Sequence, residues 1–290
     1  MYPQPFQYKA TESLEEALDI LAQAPEEVRP LAGGQSLIAI LNLQLAQPAC
    51  LLDLNPLQEL ATIRYEEEWV ELGALVRHRT LETDAGIRER LPLLAQAAGY
   101  IGNLRVRNRG TLGGSLAHAD PAAELGAVAL ALGATVQVQS KERTRFIPAG
   151  EFFQGYYTTA LEPGEIVRAV RFPLPVSTRY GFAELVYRAN DFAIAGAAVA
   201  LQMEEERIRE VRLALFGVAD RPLRAGEAEE ILRGETPSFE LLQEAAERIT
   251  GIVDPPEEEE IPKSYRRQMA QVMTRRALAA ALGLEPQESR

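Results

Sequence analysis

Leu31-Ala-Gly-Gly-Gln-Ser-Leu37 and Gly110-Thr-Leu-Gly-Gly-Ser-Leu-Ala-His-Ala-Asp-Pro121 decide how this chain is read, since each sets a glycine pair just ahead of a Ser-Leu step. The missing Cβ at Gly33, Gly34, Gly113 and Gly114 lets the backbone take positive φ and lets a ligand come close to it. Successive exposed amides then form an anion-binding concavity. The first stretch runs into Leu37-Ile-Ala-Ile-Leu-Asn-Leu-Gln-Leu45, a helix-like segment stopped by Pro48, whose free amides and positive dipole end add to the same site. Taken alone, either glycine pair reads more simply as a tight connection between strand and helix. Two of the same character in one chain point to a dinucleotide pyrophosphate. Neither is G-x-G-x-x-G with an acid about 20 residues on, nor G-x-x-x-x-G-K-[ST], so a standard Rossmann or P-loop assignment fails.

With 290 residues, 47% of them hydrophobic, the chain has ample core for one large domain or two to three smaller ones. A net charge of −12 argues against a nucleic-acid binder, which needs a basic face, and means that local amides must hold any phosphate. The longest apolar runs, such as 193–201, fall far short of the roughly 20 residues that span a bilayer. Met1-Tyr-Pro-Gln-Pro5 has neither a basic region nor an apolar signal core, so the expected compartment is the cytoplasm. Cys50 is the only cysteine, which excludes an internal disulfide and an iron–sulfur cluster held by this chain, because clusters usually need four thiolates. His78 and His118 match no metal spacing.

Along the chain, Ser13-Leu-Glu-Glu16 is a capping box opening an amphipathic helix with Leu14, Ala17, Leu18 and Leu21 on one face. Leu51-Leu-Asp-Leu54 reads as a buried strand, and the texture changes near residues 55–58. Strand 69–76, helix 91–99, an extended basic loop carrying Arg105, Arg107 and Arg109 on one side, and the second glycine stretch follow. Asp120-Pro121 predicts the N-cap and first residue of a helix ending before Gly133, with Glu124 in its first turns. A hairpin is expected around Lys141-Glu-Arg143, and Glu162-Pro-Gly-Glu165 turns into strand 166–172. Pro173 and Pro175 mark the next boundary. Strands 180–187, 194–203 and 208–218 precede helices 224–233, 238–250 and 264–282, an α+β order, and the acidic run Glu257–Glu260 reads as a solvated loop.

These residues carry a family resemblance. Ala32-Gly-Gly-Gln-Ser36, the long stretch 106–124, Thr159-Ala-Leu-Glu-Pro-Gly-Glu-Ile166, Asn190-Asp-Phe-Ala193 and Arg221-Pro-Leu-Arg224 resemble the medium, FAD-binding subunit of the molybdenum hydroxylases, the group of aerobic carbon monoxide dehydrogenase and the xanthine dehydrogenases. The resemblance implies an α+β chain with a two-subdomain FAD-binding fold of the PCMH/VAO-like kind, residues 1–57 and 58–175, followed by a C-terminal domain over 176–290. It implies cofactor contacts from Leu31, Ala32, Gly33, Gly34, Gln35, Ser36, Leu37 and Ile38 in the first stretch. In the second they come from Thr111, Leu112, Gly113, Gly114, Ser115, His118, Asp120 and Glu124. By the same resemblance Leu161 packs near the isoalloxazine, Ile101 lines the cofactor and Phe192 matches an aromatic position close to the flavin. Glu184 stands where many relatives carry lysine facing the flavin.

The same resemblance implies partners: a molybdopterin-binding large subunit and a small subunit with [2Fe-2S] clusters, assembled as a dimer of heterotrimers. This chain would be an oxidoreductase's electron-transfer subunit, not hydroxylase-active alone, with no catalytic triad or metal site of its own. Nicotinamide, quinone and oxygen all stand open as acceptors. Two other readings of the residues remain, a self-contained FAD-dependent oxidoreductase and a nucleotide-binding module without a redox role. Glu124 reads either as a helix-start acid favoured by the dipole or as an acceptor for a cofactor hydroxyl. The three arginines suit a pyrophosphate and a partner surface equally.

Overall fold

Ser13 Oγ accepts from Glu16 N at 3.2 Å, and the helix it opens buries Leu14, Ala17, Leu18 and Leu21 as their spacing predicts. In the computed structural model, which describes residues 2–174, 176–257 and 260–284, this helix, α1 (Leu14–Gln23), covers the first of three main sheets. That sheet is parallel, in the order β1 (Gln7–Ala10), β3 (Cys50–Asp53), β2 (Val28–Leu31). Between β2 and β3 lies α2 (Leu37–Asn42), which ends three residues earlier than the apolar run because Gln44 turns to a φ of 59°. Pro175 and the middle of the acidic run Glu257–Glu260 lie outside the described residues.

The second sheet is antiparallel. Its central strand β10 (Ile166–Pro173) is flanked by β5 (Trp69–Gly73) with β4 (Ile63–Tyr65) on one side, and by β6 (Thr135–Gln139) with β7 (Thr144–Pro148) on the other. Short helices fill the space between β5 and β6: α3 (His78–Thr83), α4 (Ala85–Arg90), α5 (Pro92–Tyr100), α6 (Leu104–Arg109), α7 (Leu112–His118) and α8 (Glu124–Leu132). All nine residues of α8 are buried. A helix apolar all round must be covered on every side, and α8 is packed between the second sheet and the third. Gly133, at a φ of 66°, closes it as a left-handed C-cap. After α9 (Ala149–Phe152) a small hairpin, β8 (Phe153–Gly155) with β9 (Thr158–Thr159), leads back to β10.

The third sheet is the expected antiparallel meander, β11 (Thr178–Val186), β12 (Ala193–Glu204), β13 (Arg207–Phe216) and β14 (Leu223–Arg224), followed by α10 (Gly226–Leu232), α11 (Phe239–Arg248) and α12 (Lys263–Leu282). Small residues dominate β12 because both of its faces are covered. Ala195, Ala197, Val199 and Leu201 join the core under α12, whereas Ala193, Ala198 and Ala200 join the core around α8.

Two local expectations are corrected. The helix after the second glycine stretch begins at Glu124, not at Pro121. Asp120 spends its side chain on a local turn, with Oδ1 accepting from Ala122 N at 2.9 Å, and so holds Pro121 outside the helix. The basic segment is helical rather than extended, because Asn103 Oδ1 caps it by accepting from Arg105 N at 2.9 Å and Val106 N at 3.2 Å. On a helix, alternate residues fall on opposite sides. Arg107 accordingly turns inward to Glu82 at 2.9 Å and to the carbonyls of Ile101 and Gly102 at 3.1 and 2.7 Å, while Arg105 and Arg109 are exposed.

Candidate functional site

The chain leaves β2 at Leu31 and reaches α2 through Ala32, Gly33, Gly34, Gln35 and Ser36. Gly34 takes a φ of 73°, which only glycine adopts freely. Gln35 Nε2 ties the turn by donating to Gly33 O at 3.3 Å. Among the described residues, no protein group accepts a hydrogen bond from the backbone N–H of Gly33, Gly34, Gln35 or Ser36. Four successive amides without a protein acceptor, the first of them on buried Gly33, are donors open to an anion.

The second stretch docks against the first. Arg77 and Thr111 form an isolated antiparallel bridge, and His78 N donates to Gly110 O at 3.0 Å. Thr111 is the N-cap of α7, its Oγ1 accepting from Gly114 N at 3.2 Å. A Cβ added to Gly33 would lie 2.8 Å from Gly110 Cα, and one added to Gly114 would lie 3.6 Å from Ala32 Cβ. The two glycine stretches are thus in direct contact across the first and second sheets.

The role of the glycines differs from the expectation. Of the four, only Gly34 has a positive φ, and Gly113 and Gly114 sit inside α7. Gly113 serves close approach of backbone to backbone: its N–H donates to Ala74 O at 2.8 Å, and a Cβ there would stand 2.8 Å from Ala74 Cα. Leu112 and Thr111 are buried beneath the stretch, and Ser115 is half-buried on α7.

Glu124 opens α8 and is buried, and that burial, with the charge of Asp120 adding, pushes its carboxyl up to about 7. From the third sheet, Glu184 brings a second carboxyl whose two oxygens are buried and have no hydrogen-bond partner among the described residues. Burial first, and then the charge of Glu124, pushes Glu184 up to about 8.

Ile101, at the end of α5, and Leu161, in the turn before β10, are part-buried against the core around α8. The Leu161 turn is held by Glu165, which receives Arg145 at 2.8 and 2.5 Å and Glu162 N at 2.8 Å. Leu37 and Ile38 lie on the first turn of α2, with Ile38 exposed. Phe192 is 72% exposed on the hairpin between β11 and β12. His118 ends α7 with its ring centroid 5.1 Å from that of Tyr157, and burial lowers its pKa. Spacing in the sequence does not single out Asn55 or Arg77, yet both sit between the two stretches. His78 is buried beneath Gly110 and is held down to about 4, chiefly by burial. Among the described residues no group of three or more His, Cys, Asp or Glu could hold a metal, and no helix is long and apolar enough to cross a membrane.

Residues 4–175 match the family described as the FAD binding domain in molybdopterin dehydrogenase, and residues 180–281 match the CO dehydrogenase flavoprotein C-terminal domain. The glyceraldehyde dehydrogenase medium chain of Sulfolobus acidocaldarius is 36% identical over 277 residues, covering 96% of this chain and 98% of that one. The 6-hydroxypseudooxynicotine dehydrogenase complex subunit alpha of Paenarthrobacter nicotinovorans is 38% identical over 284 residues, covering 97% and 96%. Among solved structures, a chain of the carbon monoxide dehydrogenase from Hydrogenophaga pseudoflava superposes with a TM-score of 0.95 at 37% identity, covering 98% of this chain and 99% of that one. With its fold matched along nearly its whole length and both of its family segments in order, the chain belongs to the FAD-binding medium subunits of the molybdenum hydroxylases, and FAD is its cofactor.

Proposed function

We propose that this chain holds FAD non-covalently, with the pyrophosphate seated where the two glycine stretches meet, and that it passes electrons from partner iron–sulfur clusters to an external acceptor. The observation that carries this reading is the run of four unpartnered amides at residues 33–36, packed against the second stretch. The residues present fit the group. A pyrophosphate needs donors rather than bulk, and the turn offers consecutive N–H groups with no Cβ at Gly33 or Gly34.

Leu31 to Ile38 and Thr111 to Ser115 form the cradle, with His118 in the adjoining turn. Asp120 and Glu124 supply acceptors for cofactor hydroxyls, and Ile101, Leu161 and Phe192 supply apolar contacts for the ring. The division of labour follows residues 1–57 and 58–175 as the FAD-binding part and 176–290 as the domain closing over it. Cys50 is buried, which removes it as a point of covalent attachment. When bound, FAD supplies the exchange between one-electron and two-electron transfer, and the chain's task is to bind, orient and electrostatically tune it.

Substrate chemistry then belongs to partners, a molybdopterin-binding large subunit and a [2Fe-2S] small subunit, in a dimer of heterotrimers in the cytoplasm. Reconstitution from separately purified chains tests this. Substrate-dependent bleaching of the flavin is expected only when the cluster-bearing and molybdenum subunits are both present. Rapid substrate-driven bleaching by the isolated chain would favour a self-contained flavoenzyme instead.

A further inference from the structure

The first glycine stretch leaves the first sheet at β2, the second opens α7 beside the second sheet, and Asn55 and Arg77 link the two. Asn55 Nδ2 donates to Ala32 O at 2.9 Å, the carbonyl immediately before Gly33. Asn55 Oδ1 in turn accepts from Arg77 Nη2 at 2.5 Å. The other arm of the fork, Arg77 Nη1, donates to Arg109 O, the carbonyl immediately before Gly110. A continuous relay therefore runs from Ala32 O through Asn55 and Arg77 to Arg109 O. Asp53 orients its first member, since Asp53 Oδ1 accepts from Asn55 N at 2.9 Å and from Asn55 Nδ2 at 2.5 Å, while Tyr8 Oη donates to Asp53 Oδ2 at 2.5 Å.

We propose that Asn55 and Arg77 are positioning residues for the FAD pyrophosphate: by gripping the carbonyl that precedes each glycine stretch, they set the spacing and aim of the amide cradle. The inference rests on reading that cradle as the pyrophosphate site. Its physical basis is the planarity of the trans peptide, in which C=O and the following N–H point in opposite directions. Holding Ala32 O towards Asn55 turns the Gly33 N–H to the other side, into the unpartnered run of amides. Holding Arg109 O fixes the end of α6, on which Gly33 packs with Gly110 Cα 2.8 Å from where its Cβ would stand. A guanidinium suits this task because its rigid fork reaches two acceptors at once, which a single ammonium cannot do with the same geometry. Arg77 lies beside the charges of Arg109 and Asp53, which act on it in opposite directions, so its fork rather than its net charge is what it brings to the relay.

The test uses the full chain with N55A, R77M, R77K and the N55A/R77M double variant, and G34V as a control on the site itself. FAD affinity is measured by titration, with ADP as a competitor that carries the pyrophosphate without the flavin ring. N55A and R77M are each expected to weaken FAD by about tenfold or more, because preorganised polar contacts are at stake in a relay that fails as a unit. The double variant should be no weaker than about the worse single one, and ADP should weaken in parallel. At saturation the visible band of the bound flavin should stay where it is in the wild type. R77K, which keeps the charge but loses the fork, should resemble R77M; wild-type affinity in R77K would overturn the relay in favour of charge alone. Multiplicative effects, a shifted flavin band, or unchanged affinity in both single variants would also overturn it. If G34V binds FAD like the wild type, the pyrophosphate reading itself falls. If G34V loses FAD while N55A and R77M keep it, only the relay falls.

Discussion

Glu184 on β11 faces Glu124 at the start of α8 closely enough that the charge of one raises the titration of the other, across the seam between the FAD-binding part and the third sheet. Two carboxyls share an apolar seam in which neither oxygen of Glu184 has a hydrogen-bond partner among the described residues. A buried, unpaired carboxylate is costly, and protonation is the cheapest remedy.

A pH dependence follows, with a definite sign. Both carboxyls titrate higher in the folded chain, at about 7 and about 8, than their ordinary value of 4.5. Groups raised on folding stabilise the fold fully below their unfolded pKa and lose that contribution as the pH rises through the folded one. The apo protein should therefore melt at a lower temperature as the pH climbs from the ordinary value to the folded ones, and the decline should level off above them. Glu184→Gln, which keeps the shape without a charge, should flatten that slope. Thermal melts of the two proteins across this window decide the matter, and an equally steep slope in Glu184→Gln would contradict it.

The glycine variants should separate fold from binding. A side chain at Gly113 meets the backbone of Ala74, so Gly113→Val is expected to cost several kcal/mol of apo stability, about as much as other overpacked core sites or more. A Cβ at Gly34 would stand 3.2 and 3.3 Å from the Ile38 and Leu31 side chains, a tight fit that these side chains must shift slightly to relieve, and the φ of Gly34 is left-handed. Gly34→Ala should cost only about 1–2 kcal/mol of stability while weakening FAD binding. Urea unfolding of the apo chains, paired with FAD titration, gives both numbers.

The three arginines should part company. Arg107 is a structural residue, bonded to Glu82 and to the carbonyls of Ile101 and Gly102. Arg107→Ala is expected to lower stability by about 2–3 kcal/mol, the usual loss for buried charge-assisted hydrogen bonds. Arg105→Ala should leave the melting temperature within the scatter of surface substitutions, because its side chain is exposed. Equal losses in the two variants would contradict the opposite facing of these arginines on α6.

Much of the fold was legible, and the failures have specific causes. The Ser13 cap, the turn over 162–165 into β10 and the meander with its three helices follow from periodicity and turn residues, which are local signals. Asn103 was missed as a helix cap because three alternating arginines imitate a strand, and period two and helical spacing are hard to tell apart over five residues. Asp120 offered a cap but was used in its own turn, a competition between two local hydrogen bonds that composition does not resolve. Glycine shows that a Cβ must be absent without showing why, so positive φ and close packing looked alike at Gly113. No spacing rule marks Asn55 and Arg77, because what they join is far away in the chain.

Whether the two glycine stretches together hold one FAD is decided by titrating the purified apo chain with FAD and then precipitating the loaded protein with acid. One FAD per chain, released into the supernatant, with Gly34→Val binding at least tenfold more weakly, is the predicted result for a cradle of backbone donors. A chain that takes up no FAD, flavin that stays with the precipitate, or wild-type affinity in Gly34→Val would contradict it.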